Sequence, residues 1–126
     1  MKKTVGEPSN FPTAFDHALN AGNLEELLSL YDERATIRTA DGRVEQGHAA
    51  IRVEMEKLIA SKAVIVNKTR HTFQSGDTAL IVVDWDLSLS TPDGQRVQRR
   101  GTATNVLKND PQLGWRMAVA NPQGTE

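Results

Sequence analysis

The sequence lacks cysteine, an excess of charge of either sign and any long apolar run. Without cysteine among its 126 residues, the chain cannot use disulfides, thiol nucleophiles or cysteine-ligated metals. Fifteen Lys and Arg residues balance 16 Asp and Glu, a net charge of −1, which argues against nucleic acid or an anionic membrane as the main partner. The longest apolar run, residues 79–83, is far shorter than a membrane span, so we expect a cytoplasmic protein without membrane contact.

The remaining composition is typical of one globular domain. The chain has a mass of 13.9 kDa, with 38% apolar and 25% charged residues, enough to bury a single core. We therefore predict one domain over residues 1–126, with residues 1–8 flexible. The three histidines are dispersed along the sequence, which predicts no metal site, and we expect no cofactor.

Helical periodicity is confined to the first half of the chain. Apolar residues recur at helical spacing in three segments, 10–22, 23–31 and 48–59. A short strand over 35–39, turned by Asp41-Gly42, separates the second helix from the third.

From Lys62 onwards the apolar period changes to two. This pattern predicts four strands, over 63–74, 78–90, 95–108 and 115–121. The short connections favour an antiparallel meander, and the order of helices followed by strands indicates an α+β fold.

Turn length predicts which residues face each other across these strands. A two-residue turn at Gly76-Asp77 places His71 opposite Val82. A four-residue second turn places Asp86 opposite Arg99, whereas an odd-length loop would break this register.

This register gives the sheet one mixed face and one apolar face. Asp84, Asp86 and His71 lie on the mixed face, and Trp85 and Trp115 lie on the apolar face. Either the helices cover the apolar face and leave the mixed face in solvent, or they cover the mixed face and enclose a charged pocket. Amphipathicity alone favours the first arrangement.

The order of several short motifs resembles the nuclear transport factor 2-like superfamily, in its SnoaL-like and ketosteroid isomerase-like branches. The motifs lie at 18–27 (ALNAGNLEEL), 30–31 (LY), 35–37 (ATI), 47–52 (GHAAIR), 104–107 (TNVL) and 114–116 (GWR). The resemblance implies a cone of three helices on a curved antiparallel sheet with a small-molecule pocket between them. It also implies a homodimer through the outer sheet face, here the Trp85/Trp115 face, and so favours the charged-pocket arrangement.

The catalytic residues of related enzymes are largely replaced in this chain. Where steroid isomerases of this fold use a tyrosine and two aspartates, the matching positions hold Phe15, Thr39 and Asn105. Of the set used by limonene-type epoxide hydrolases, Asp86 alone remains, since the position of the last aspartate is Ala120. The resemblance therefore leaves open whether the protein is an enzyme.

The candidate catalytic residues are Asp84, Asp86 and His71. Two carboxylates on one strand face would raise one pKa if pocketed, which suits an acid or base, and His71 could pair with Asp84. If exposed, these residues are ordinary surface groups. The candidate ligand-binding residues are Phe15, Tyr31, Thr39, Met55, Val82, Arg99 and Asn105.

Two functions fit this reading. One is non-catalytic binding of a small molecule, or dimerisation. The alternative is an isomerase, cyclase or dehydratase that transfers a proton on a small, partly apolar organic substrate.

Overall fold

The computed structural model describes residues 5–126, in which three helices pack on one face of a six-stranded curved sheet. The helices are α1 (Phe11–Asn20), α2 (Leu24–Ser29) and α3 (His48–Ala60), and a 3₁₀ turn, Pro8–Asn10, precedes α1. The strands are β1 (Tyr31–Arg38), β2 (Val44–Gln46), β3 (Val64–Ser75), β4 (Thr78–Ser90), β5 (Arg96–Asp110) and β6 (Gly114–Ala120). The sheet order is β2-β1-β6-β5-β4-β3, and β1 runs parallel to β6 while the other pairs are antiparallel. The predicted α+β cone is confirmed.

The local sequence explains where the helices begin and which residues they bury. Pro12 lies in the first turn of α1, where its missing N–H is harmless. Asn23 caps α2 by accepting a hydrogen bond from the Glu26 backbone N–H at 3.1 Å. Helix α3 buries Ile51 and Met55, which are one turn apart on the face towards the sheet.

Two local predictions differ from the structure. Tyr31 begins β1 instead of ending a helix, and the short strand β2 was not predicted. In the segment expected to be flexible, Val5 is buried and its carbonyl accepts from Trp115 N at 2.9 Å, whereas Gly6 and Glu7 are exposed. The remainder of that segment, residues 1–4, lies outside the described residues.

A bulge at Arg70 divides β3 into two registers. From Ser75 to His71 the predicted pairing holds, and His71 lies opposite Val82. Beyond the bulge the pairing shifts by one residue, so Asn67 lies opposite Trp85 and turns to the face beneath the helices.

The second turn has five residues, 91–95, and not the four that were predicted. Ser90 pairs with Arg96, so Asp86 lies opposite Arg100 and the predicted Asp86–Arg99 pairing is wrong. Since a one-residue slip exchanges the two faces of a strand, every side chain of β5 joins the opposite set from the one predicted.

The more apolar set of side chains on β4 lies beneath the helices. On the central strands β4, β5 and β6, the buried residues of this inner face include Ala79, Ile81, Val83, Ala103, Leu107, Met117 and Ala120. Trp115 is buried in the same core. Burying this set removes the most apolar surface from water, and so it decides the orientation of the sheet.

Helix α1 covers the free edge of β3 with two polar side chains. The Asn20 amide donates to Ile65 O at 2.9 Å and its oxygen accepts from Ile65 N at 2.7 Å. One turn earlier, the Asp16 carboxylate accepts from Asn67 N at 3.0 Å and Asn67 Nδ2 at 2.6 Å. Burial raises the pKa of Asp16, and the two bonds from Asn67 oppose this shift.

Candidate functional site

A cavity of about 400 Å³ lies between the helices and the inner face of the sheet. Its wall is mostly apolar, with a few polar side chains. The lining residues include Phe11, Phe15, Tyr31, Ile37, Thr39, Glu54, Met55, Lys57, Leu58, Ile65, Asn67, Ile81, Val83, Trp85, Leu87, Leu89, Ala103, Asn105, Met117, Pro122 and Gln123. A cavity of this size and composition suits a small organic molecule.

Tyr31 places a neutral hydroxyl group in this wall. The side chain is buried, with Phe15 edge-on to its ring at 6.4 Å, and burial raises the pKa of its phenol. Its hydroxyl donates to Met55 Sδ at 3.8 Å, and a thioether is a weak acceptor. A carbonyl or hydroxyl oxygen of a ligand would therefore be a better partner for this donor.

Asn105 supplies a second donor. Its Oδ1 accepts a hydrogen bond from the Asn121 backbone N–H at 2.9 Å, which fixes the orientation of the amide. Among residues 5–126 its Nδ2 group has no acceptor, although Asn105 is buried and lines the cavity. The free N–H groups can thus donate to a ligand oxygen.

Glu54 is the one carboxylate among the described residues that line the cavity, and sequence reasoning missed it. Its side chain is 15% exposed and accepts from Lys57 Nζ at 3.1 Å. The helical spacing contained the signal, because Glu54 follows Ile51 by three residues and therefore lies near the buried stripe of α3.

Trp85 forms part of the cavity wall. Its cross-strand partner is Gly101, and a Cβ at that position would lie 2.4 Å from the indole ring. The glycine therefore lets the ring lie against β5, and the indole Nε1–H donates to Pro122 O at 2.7 Å. With Trp115 also in the core, the predicted position of both tryptophans on the outer face of the sheet is wrong.

Of the predicted ligand-binding residues, Phe15, Tyr31, Thr39, Met55 and Asn105 line the cavity. The Thr39 hydroxyl, however, serves the β1–β2 turn. It donates to the Asp41 carboxylate and accepts from Arg43 N at 3.0 Å. Thr39 thus helps to shape the cavity wall, but its hydroxyl is already bonded within the turn.

Asp84 and Asp86 lie on the outer face, so their predicted position in the pocket is wrong. Their side chains are 41% and 40% exposed and make ion pairs with Arg70 at 2.8 Å and Arg100 at 3.2 Å. A hydrogen bond from the Thr102 hydroxyl is the largest cause that lowers the pKa of Asp84. A lowered pKa is opposite to the shift expected for a pocketed pair of carboxylates.

Three other predicted site residues also lie away from the cavity. His71 is exposed and stacks on Phe73 at 5.5 Å, and it makes no hydrogen bond to Asp84. Val82 lies opposite His71 on the outer face, and Arg99 is exposed opposite Leu87. Neither is a lining residue. The sheet orientation turns Val82 outwards, whereas Arg99 shares the face of Leu87 but is exposed near the start of β5.

No helix within residues 5–126 is long and apolar enough to cross a membrane. No group of three or more histidine, aspartate or glutamate side chains converges there to hold a metal ion.

The sequence profile of the SnoaL-like domain matches residues 13–111, most of the chain. The chain belongs to the SnoaL-like domain family. This family lies within the nuclear transport factor 2-like superfamily, and the predicted membership is confirmed. No protein with a curated description matches the sequence significantly.

Solved structures with this fold cover nearly the whole SnoaL-like chain. A protein from Streptomyces avermitilis, provisionally described as a dehydratase of the nuclear transport factor 2-like family, has a TM-score of 0.80 and 20% identity over 94% of each chain. A ketosteroid isomerase-like protein from Erwinia carotovora atroseptica has a TM-score of 0.77 and 11% identity, over 89% of this chain and 88% of that one.

A third structure comes from Thiobacillus denitrificans and is provisionally described as a calcium/calmodulin-dependent protein kinase type II association domain. It has a TM-score of 0.78 and 18% identity, over 99% of this chain and 100% of that one. At these identities the three likenesses establish the fold alone.

Proposed function

We propose that this domain binds a small, mainly apolar organic molecule that carries a carbonyl or hydroxyl oxygen. The observation that carries the proposal is the cavity of about 400 Å³ with Tyr31 and Asn105 in its wall. Two donors without a strong competing acceptor favour an oxygen-bearing ligand, and the apolar remainder of the wall favours a hydrocarbon or aromatic body.

Binding without catalysis is better supported than proton transfer. Among the described lining residues there is no histidine, and the one carboxylate, Glu54, is paired with Lys57. The candidate acids and bases of the sequence, Asp84, Asp86 and His71, lie on the outer face. An enzyme with this cavity would depend on Glu54 as its base.

The proposal is tested with Prodan, a fluorescent naphthalene with one ketone. We expect saturable binding with blue-shifted emission, because the apolar wall removes the dye from water. Tyr31→Phe deletes one donor and should weaken Prodan binding about fivefold, the value of one typical hydrogen bond. Asn105→Leu should act in the same direction.

The control is 2-dimethylaminonaphthalene, which has the same ring system without the ketone. Tyr31→Phe should leave its affinity unchanged. Absence of saturable Prodan binding to the wild type would refute the cavity as a binding site. Equal losses for both dyes would refute the role of the donors.

We also propose that two copies of the chain associate through the outer face of the sheet. Phe73, Leu80, Val106 and Val119 are consecutive cross-strand partners and form one row over four strands. Three of them are 57%, 39% and 38% exposed, in the order Phe73, Leu80 and Val119, an unusual amount of apolar surface for a solvated sheet.

Charge on this face also suits a second copy. Beside the apolar row, the pairs Asp84–Arg70 and Asp86–Arg100 balance each other, so two such faces can meet without net repulsion. The likeness to an association domain from Thiobacillus denitrificans supports the same assignment.

Analytical ultracentrifugation tests this association. The wild type should sediment at twice the mass of the chain, and Leu80→Lys should give monomers because it places a charge in the row. Val44→Lys, which alters an exposed valine on β2 away from the row, should leave the dimer intact. A monomeric wild type, or a dimer that survives Leu80→Lys, would contradict the proposed interface.

A further inference from the structure

Residues 121–124 follow β6 and continue along β5 beside the cavity. We call this segment the strap. It belongs to neither a helix nor a strand, yet Pro122 and Gln123 both line the cavity. None of its residues belongs to the buried core cluster, whose last member is Ala120. The strap is therefore a part of the cavity wall whose residues are not packed into the buried core.

Hydrogen bonds attach the strap to strands on both sides of β6. The Trp85 indole N–H on β4 donates to Pro122 O at 2.7 Å. The Gln123 side chain donates to Ala40 O, just beyond the end of β1, at 2.9 Å. On β5, Thr104 N donates to Asn121 O at 3.0 Å. The strap thus lies along β5, and side-chain hydrogen bonds link it to β4 and to the end of β1.

The strap lies unusually close to β5. Gly124 has a φ of +59°, and a Cβ at this position would lie 2.5 Å from Thr102 O. A side chain there would meet both a strained backbone and a steric clash, so the strap lies close to β5 because residue 124 is glycine.

We propose that the strap is a movable wall that opens to admit and release the cavity ligand, with the Trp85–Pro122 hydrogen bond as its latch. This rests on the proposed ligand-binding function. Opening breaks the hydrogen bonds of the strap, including those from Asn121 to Asn105 Oδ1 and to the Thr104 hydroxyl. Water can replace these bonds, and the core stays intact. Opening the wall between α1 or α3 and the sheet would instead expose buried side chains such as Phe11, Leu19 and Ile51.

Stopped-flow measurement of Prodan exchange tests the strap. Gly124→Ala displaces the strap without altering a lining residue, and it should raise both the association and the dissociation rate constants about fivefold while the Kd changes less than about twofold. Trp85→Phe, which keeps an aromatic wall but removes the N–H, should raise both rates as well.

Gly94→Ala is the matched control. Gly94 also has a positive φ, +88°, but it lies in the β4–β5 turn and a Cβ there would meet nothing within 4 Å. This variant should exchange Prodan at wild-type rates. Unchanged rates in Gly124→Ala, or a change in dissociation with no change in association, would overturn the proposal.

Hydrogen exchange separates failure of the strap from failure of the binding function. The Thr104 amide donates to the strap, so it should exchange faster in Gly124→Ala than in the wild type, with or without ligand. If the wild type does not bind Prodan, the binding function fails. The comparison of Thr104 exchange still tests whether the strap moves. Equal exchange of Thr104 in the two proteins would overturn it.

Discussion

Thr39 shows how a residue at a catalytic position of related enzymes can serve the fold. Its hydroxyl donates to Asp41 and accepts from Arg43 N, which closes the β1–β2 turn beside the cavity. The Thr39 hydrogen bond, with the Arg43 guanidinium, lowers the pKa of Asp41 to about 2 from an ordinary 3.8. The polar groups of Thr39, Asp41 and Arg43 at this rim of the cavity thus bond to one another within the turn.

The lowered pKa of Asp41 predicts an acid-dependent loss of stability. Because the folded pKa lies below the unfolded value, the ionised carboxylate stabilises the fold fully above about pH 4, and this contribution is lost as the pH falls towards 2. In Asp41→Asn, urea-denaturation midpoints should therefore fall less steeply between pH 4 and pH 2 than in the wild type.

Asp77→Asn is the control for this titration. The Asp77 side chain makes no hydrogen bond within residues 5–126, so the substitution should leave the slope unchanged. A slope in Asp41→Asn equal to that of the wild type would show that the turn does not stabilise the ionised carboxylate.

A single glycine decides the position of Trp85. The Cβ of any other residue at 101 would overlap the indole ring, which would have to leave Pro122 and the cavity wall. Glycine within a strand often marks such a close approach, so the sequence contained a signal for this contact. Its meaning depended on the pairing of Gly101 with Trp85, which the predicted register missed.

At the scale of elements, α1 protects the edge of the sheet. A free strand edge presents unpaired backbone groups, and side chains one helical turn apart on α1 match alternate residues of β3. Asp16 and Asn20 thus satisfy backbone groups of Ile65 and Asn67 that would otherwise be left without partners.

This contact predicts that Asn20→Ala is destabilising. Loss of the amide leaves both the N–H and the C=O of Ile65 unpaired beneath the helix, which should cost about 1–3 kcal/mol of unfolding free energy. Thr13→Ala on the same helix, an exposed site without a side-chain hydrogen bond among the described residues, should change stability by less than about 0.5 kcal/mol. Equal effects of the two substitutions in chemical denaturation would exclude the edge contact.

Element types followed from periodicity, whereas strand register did not. Helical spacing predicted the three helices and alternation predicted the four long strands, because the apolar period of an element can be read from its own residues. The bulge at Arg70 and the fifth residue of the 91–95 loop depend on tertiary packing and turn geometry. Each shifts a strand by one residue, and these two shifts moved Asn67 and the β5 side chains to the opposite face.

At the scale of the whole molecule, burial of apolar surface decides which sheet face meets the helices. The amphipathicity argument favoured this arrangement, and the expectation of a charged pocket was wrong. A cavity still forms because the helices do not fill the concave face. Its polar groups include side chains of β1, β5 and α3, but not the two aspartates of β4. Sequence therefore identified Tyr31 and Asn105 but misplaced Asp84 and Asp86.

The absence of cysteine allows one direct test of the central claim, that the apolar face of β4 lines the binding cavity. Leu87→Cys and Ser88→Cys place single thiols on neighbouring residues of opposite faces, and labelling by a thiol reagent reports their accessibility. Saturating Prodan should slow the labelling of Leu87→Cys and leave that of Ser88→Cys unchanged. Protection of Ser88→Cys with no protection of Leu87→Cys would contradict the account.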